Sequence, residues 1–213
     1  LGDYRAALLP DELGIARDMT LQRSLEFASG RHVARLALAA IGQPLASIPM
    51  GTGGEPIFPQ GVVGSLSHTA RHAAALVSRA GRHASVGVDV DDARTLGKAA
   101  ARLMTTAEIA LVASKGWAST EAQAQNVVFG AKEALFKCQY PFSQKGDLDF
   151  DEVTLVAGDH SAGLSAQLAS AEPQLAAVVT RIDIFCLEIQ QVRCAVALLP
   201  IREVNVAFSD MKG

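Results

Sequence analysis

The chain has 213 residues, 49% hydrophobic and 19% charged, which is apolar enough for one large domain or two small ones sharing an interface and excludes a disordered polypeptide. A net charge of −3 without a long basic run argues against nucleic acid as a main partner, and no apolar run is long enough to span a bilayer. Cys138, Cys186 and Cys194 are odd in number and lack metal-ligand spacing, so neither a disulfide framework nor structural zinc is expected and a reducing cytoplasm is the simplest setting.

Residues 1–19 read as an irregular lead-in with one short helix. Leu1–Asp18 mixes acids, bases and Pro10, unlike a secretory signal. Leu25, Ser29, Val33, Leu36 and Ala40 recur at helical spacing and predict a helix from Leu21 to Ile41, stopped by Gly42 and Pro44. Residues 42–61, rich in Gly and Pro, read as loop. Strands follow at Val62–His68, Ala73–Ser78 and Ser85–Asp91, separated by turns at Thr69–Arg71 and Ala80–Arg82. Arg94–Leu103 and Thr106–Ala113 look helical, and residues 114–125 read as a polar loop or mobile segment. A helix is expected over Val127–Tyr140, ended by Pro141. Strands then dominate, at Glu152–Ala157, Gly163–Ala169, Arg181–Glu188 and Val192–Leu199, and residues 200–213 show no pattern.

Several of these segments carry chemistry. In VGVDVD, residues 86–91, the period of two puts Gly87, Asp89 and Asp91 on one face and Val86, Val88 and Val90 on the other. Two carboxylates so placed make a hard oxygen site suited to magnesium and a diphosphate, or simply a solvated strand end. Glu108 has two readings as well: a third acidic ligand, or the far end of a capping box with Thr105. Glu133 and Lys137, four apart in FGAKEALFK, share a helix face either as an exposed ion pair or as a base beside a phosphate-steadying cation. Arg23, Arg31 and Arg35 offer forks for phosphate oxygens or a solvated face. Ser67 and His68 end a strand where they can donate to phosphate or satisfy local backbone.

The order of these pieces says more than any one of them. GRHVAR, then GEPIFPQGVVGSLSHT, then VGVDVD, then VVFGAKEALFKCQYP resembles the 4′-phosphopantetheinyl transferase superfamily, closest to the single-chain bacterial type of siderophore and nonribosomal peptide synthesis. The resemblance runs from about Arg23 to Val156. It implies an α/β (α+β) fold of two similar halves related by a pseudo-twofold, residues 1–100 and 101–213, with the join near 95–110 and coenzyme A between them. It further implies a monomer that transfers phosphopantetheine from coenzyme A to a serine of an acyl or peptidyl carrier protein. Asp89, Asp91, Glu108 and Glu133 inherit the magnesium, Glu133 also the role of base, and Lys137 the pyrophosphate. Arg23, Arg31, Ser67 and His68 inherit contacts to the coenzyme A nucleotide and its phosphates. Rival classes are a metal-dependent diphosphate hydrolase and a coenzyme A-binding module without turnover. Three residues depart from the pattern. Asp91 stands where relatives commonly carry Glu, leaving room for a water between side chain and metal. Gly53 stands where close relatives often have Lys, and Gly130 where Ser or Cys often precedes the AKE glutamate.

Overall fold

The structure, a computed structural model, describes residues 1–91, 96–97, 100, 102–143, 148–159, 163–169, 173–189 and 192–201. After a single 3-10 turn come α1 (Pro10–Ala16) and α2 (Leu21–Ala40). Thr20 caps α2 by accepting the Arg23 N–H at 3.3 Å, and Gly42, at φ 74°, takes the left-handed conformation that closes its end. Strands β1 (Val62–His68), β2 (Ala73–Arg79) and β3 (His83–Val90) match the expected positions within two residues. Half of the predicted helix over Arg94–Leu103 lies outside the described residues, and residues 96–97 and 102–103 are not helical. Next are α3 (Thr106–Ser114), α4 (Glu121–Ser143), β4 (Val153–Ala157), β5 (Leu164–Leu168), α5 (Pro173–Val179), β6 (Asp183–Ile189) and β7 (Val192–Pro200).

Helix α4 differs from its expected bounds at both ends. It begins six residues before Val127, because Thr120 supplies an N-cap whose Oγ1 accepts the Gln123 N–H at 3.2 Å. The residues so recruited are good helix formers, but hydrophobic periodicity starts only at Val127. The expected loop shrinks to residues 115–120. Pro141 does not end the helix but sits in its last turn, where it removes a single ladder bond near an end that frays anyway. The short α5 has no counterpart in the sequence reading.

All strand pairings are antiparallel. β1 and β2 form a two-stranded ribbon, and the other five strands run in the order β3-β7-β6-β5-β4. β3 therefore belongs by pairing to the sheet of the later strands, although it falls within the first hundred residues. It is an edge strand whose outward N–H groups need partners. β1 supplies them through side chains: Ser65 Oγ accepts from Val88 N–H at 3.1 Å, and Ser67 Oγ from Val90 N–H at 3.2 Å.

The main core lies between α4 and the five-stranded sheet, with Val128, Leu135, Leu155, Leu164, Ile184 and Leu199 at its centre. A second core joins α2 to the ribbon through Ala34, Leu38 and Val62, and a third joins the ribbon to the sheet's other face through Ala74, Leu76, Val88, Val90 and Val196. β3 thus has the expected alternation. Its valines at 88 and 90 pack against β2, while Gly87 and Asp89 face α4. Gly87 is required here, since a Cβ would overlap the Ala134 carbonyl. Among the described residues no helix is long and apolar enough to cross a membrane.

Candidate active site

The close approach at Gly87 sets the register of α4 against β3. Gly87 lies against Ala134 and Cys138, Asp89 against Gly130, and Asp91 shares a small cavity with Asn126. Two strand residues advance about 6.6 Å and four helix residues about 6 Å, so each strand step meets one helical turn. Asn126, Gly130, Glu133 and Lys137 recur at i, i+4, i+7 and i+11, one stripe of the helix, and this stripe overlooks the acidic strand end.

Asp89 is 6% exposed. Its Oδ1 accepts from Lys137 Nζ at 2.7 Å and from Ser67 Oγ at 2.8 Å, while Oδ2 faces Gly130. Lys137 Nζ also donates to Val88 O at 3.1 Å, and Ser67 Oγ is held in turn by the Val90 N–H. The carboxylate is therefore fixed by strand, ribbon and helix together. Above it opens a cavity of about 320 Å³ lined by Ser67, His68, Asp89, Phe129, Glu133 and Lys137. Leu66 and Lys137 also line a larger cavity of about 660 Å³, walled by the Gly53–Gly54 turn, Glu55, Pro56, Phe136 and Tyr140. A Cβ on Gly53 would collide with the Tyr140 hydroxyl, so Tyr140 closes that wall of the cavity.

At the cavity mouth Arg23 joins His68. The guanidinium NH1 stands 2.9 Å from His68 Nε2. Arginine can only donate, so Nε2 accepts and the ring is neutral with its proton on Nδ1, which faces Glu26 Oε2 at 3.8 Å. Burial holds His68 below its ordinary pKa, with Arg23 and Lys137 acting in the same direction against the pull of Glu26.

The structure thus brings together Asp89, Glu133, Lys137, Ser67, His68 and Arg23. Asp91 sits one step along, with Oδ2 at 3.7 Å from Arg193 NH1. Two expected members are elsewhere. Glu108 is 0% exposed and fully engaged. Oε2 accepts from Thr105 N–H at 2.7 Å and Thr105 Oγ1 at 3.0 Å, while Oε1 accepts from Leu155 N–H at 2.9 Å and lies 3.0 Å from Lys132 Nζ. It is a capping box and a buried ion pair, so the expectation of a metal ligand is corrected. Arg31 is also buried and lines neither cavity. It donates through Nε to Ile48 O at 2.9 Å and through NH2 to Pro49 O at 3.3 Å, and it lies 3.8 Å over the Phe27 ring. Burial lowers its pKa to about 10. Arg31 holds the 48–49 loop rather than facing the cleft, and Arg35 pairs with buried Glu12 at 2.8 Å.

Sequence reasoning missed Lys132, the first lysine of the AKE helix. Its Nζ donates to Leu103 O, Phe150 O and Val153 O at 2.6, 3.0 and 2.7 Å as well as pairing with Glu108. The signal was present, since a helix carrying a lysine between apolar residues needs buried partners for it. Asn126 and Arg193 were missed as well, because neither belongs to a motif.

Two family models match the chain: the 4′-phosphopantetheinyl transferase N-terminal domain over residues 10–78 and the 4′-phosphopantetheinyl transferase superfamily over residues 85–197. Among curated proteins, it is 36% identical over 146 residues to the 4′-phosphopantetheinyl transferase Npt of Nocardia iowensis, a stretch covering 66% of this chain and 63% of Npt. It is 32% identical over 172 residues to PptT of Mycobacterium tuberculosis, covering 76% and 70% of the two chains. To Svp of Streptomyces mobaraensis it is 33% identical over 172 residues, covering 78% and 68%.

Proposed function

The chain belongs to the 4′-phosphopantetheinyl transferase superfamily, and on that footing we propose that it transfers the phosphopantetheine arm of coenzyme A to a serine of an acyl or peptidyl carrier protein. One observation carries the reading beyond membership. Glu133 and Lys137 stand on one helix face over a buried carboxylate, Asp89, in a cavity that His68 also lines. That combination offers a proton acceptor, a fixed cation and an oxygen donor around one volume.

The coenzyme A diphosphate sits against Lys137 and His68, with Arg23 at the mouth for the nucleotide phosphates. Glu133 accepts the proton of the carrier serine hydroxyl. The serine oxygen forms a bond to the β-phosphorus as the anhydride bond breaks, and 3′,5′-adenosine diphosphate leaves with the electron pair. Lys137 offsets the charge that gathers on the phosphoryl oxygens. Among the described residues no three His, Cys, Asp or Glu side chains stand close enough to hold a metal by themselves. The donors present are nevertheless hard oxygens, and magnesium commonly takes one or two carboxylates and completes its shell with substrate phosphate, so two of Asp89, Asp91 and Glu133 would suffice to hold it. When bound, magnesium neutralises charge on the diphosphate.

Carrier docking falls to residues 115–120 and the adjoining start of α4, where Lys115 lies 5.9 Å from the Trp117 ring and offers positive charge to an acidic carrier helix. The reaction is tested by incubating apo carrier proteins with coenzyme A and magnesium and weighing them. Gain of the phosphopantetheine mass by at least one carrier is expected, and no gain by any of a broad panel overturns the reading.

A further inference from the structure

On the Gly130 side of Asp89, away from Lys137, lies a second and much smaller cavity of about 10 Å³, room for a single water or ion. Asp89, Asp91, Asn126, Cys186 and Arg193 line it. Asn126 is 7% exposed, and its Oδ1 is buried without a hydrogen-bond partner. A buried amide oxygen left unbonded keeps its full desolvation penalty, so it points to a water or ion held there. Helix register places Asn126 opposite Asp91, one turn before Gly130, and Asp89 Oδ2 borders the same pocket, 3.4 Å from where a Cβ on Gly130 would stand.

We propose that Asn126 is a metal-positioning ligand of this chain, giving its Oδ1 to a divalent cation shared with Asp89 and Asp91. The inference rests on the transferase reading of the same site. It accounts together for one departure and one correction. Asp91 is one methylene shorter than glutamate and reaches less far. Glu108 is withdrawn into its capping box. A neutral oxygen from α4 makes up the donor number without adding charge. Arg193, 3.7 Å from Asp91 Oδ2, is the cation that a metal displaces from that carboxylate.

Binding of Mn²⁺ as the probe, followed by electron paramagnetic resonance on the whole chain with coenzyme A present, tests this independently of turnover. Asn126→Ala is expected to weaken Mn²⁺ by roughly tenfold or more, the size typical for loss of a group that supports a metal site. Asn126→Asp, which keeps the oxygen and adds charge, restores or tightens binding, and Arg193→Gln tightens it by removing the competitor. Unchanged Mn²⁺ affinity in Asn126→Ala overturns the proposal. So does weaker binding in Asn126→Asp, which would show the amide acting as an N–H donor to the carboxylates. Circular dichroism of each variant separates loss of the ligand from loss of the fold. If the unaltered chain binds no Mn²⁺ with coenzyme A, the magnesium part of the transferase reading fails and the inference with it; if it binds and Asn126→Ala binds equally, only the inference fails.

Discussion

Lys137 and Glu133 differ in what their loss does. Lys137 is bonded to Asp89 and Val88, so Lys137→Met removes a phosphate-facing charge and also strands a buried carboxylate. We expect kcat/KM to fall by at least about a hundredfold and stability to drop, read by carrier mass shift and urea unfolding. Glu133→Gln removes the proton acceptor and one of the carboxylates that fit magnesium. It should lower kcat by roughly 10²–10⁴-fold, read by carrier mass shift. His68 gives a pH test. Because its folded pKa lies below the unfolded value, the unfolded chain binds the proton more readily. Its contribution to stability is present above the ordinary histidine pKa of about 6.5 and is lost as pH falls below that value through the lower folded pKa, a loss His68→Gln should abolish. Polyanionic 3′,5′-adenosine diphosphate should move that pKa upward in a histidine NMR titration. At this scale the sequence showed residue types but not their partners. Glu108 and Arg31 have the right chemistry for ligands, yet burial against Thr105, Lys132 and the 48–49 carbonyls uses them up.

Among elements, α4 and β3 make the site, and their alternation and periodicity were legible. Val88 against Asp89, and Glu133 four before Lys137, announce which side faces which. What could not be read was the distance between the elements, which depends on Gly87 meeting the Ala134 carbonyl. Gly87→Ala must push α4 off the strand. A cost on the order of 1–3 kcal/mol or more is expected in denaturant unfolding, together with weaker coenzyme A binding as the stripe lifts away from Asp89. The unexpected first turn of α4 has a similar cause. A threonine cap and polar helix formers set it, and neither leaves a hydrophobic period.

For the whole molecule, the sequence-based reading captured an α/β chain of two helix-then-strand stretches, but it could not show that β3 crosses into the later sheet. Pairing between residues far apart in sequence leaves no local trace. The same holds for the Lys132–Glu108 node, which ties α3, α4 and the start of β4 through three backbone carbonyls and a carboxylate. Lys132→Met leaves that carboxylate uncompensated in the interior. Destabilisation of about 3–5 kcal/mol is expected, and added magnesium should not rescue it, which distinguishes this lysine from the cleft residues in thermal melts.

The hydroxyl contacts between β1 and β3 also make one strand report on two motions. Val88 and Val90 give their amide protons to serine side chains, whereas Asp91 bonds to Arg193 O in β7, and the antiparallel ladder places Gly87 and Asp89 on that same side. Neighbouring amides of β3 should therefore exchange with deuterium by different routes. Protons at 88 and 90 are released whenever the ribbon parts from the sheet, while those at 87 and 89 wait for the sheet itself to open. Their ratio of rates would measure how often the cleft breathes, residue by residue along the strand that carries its acids.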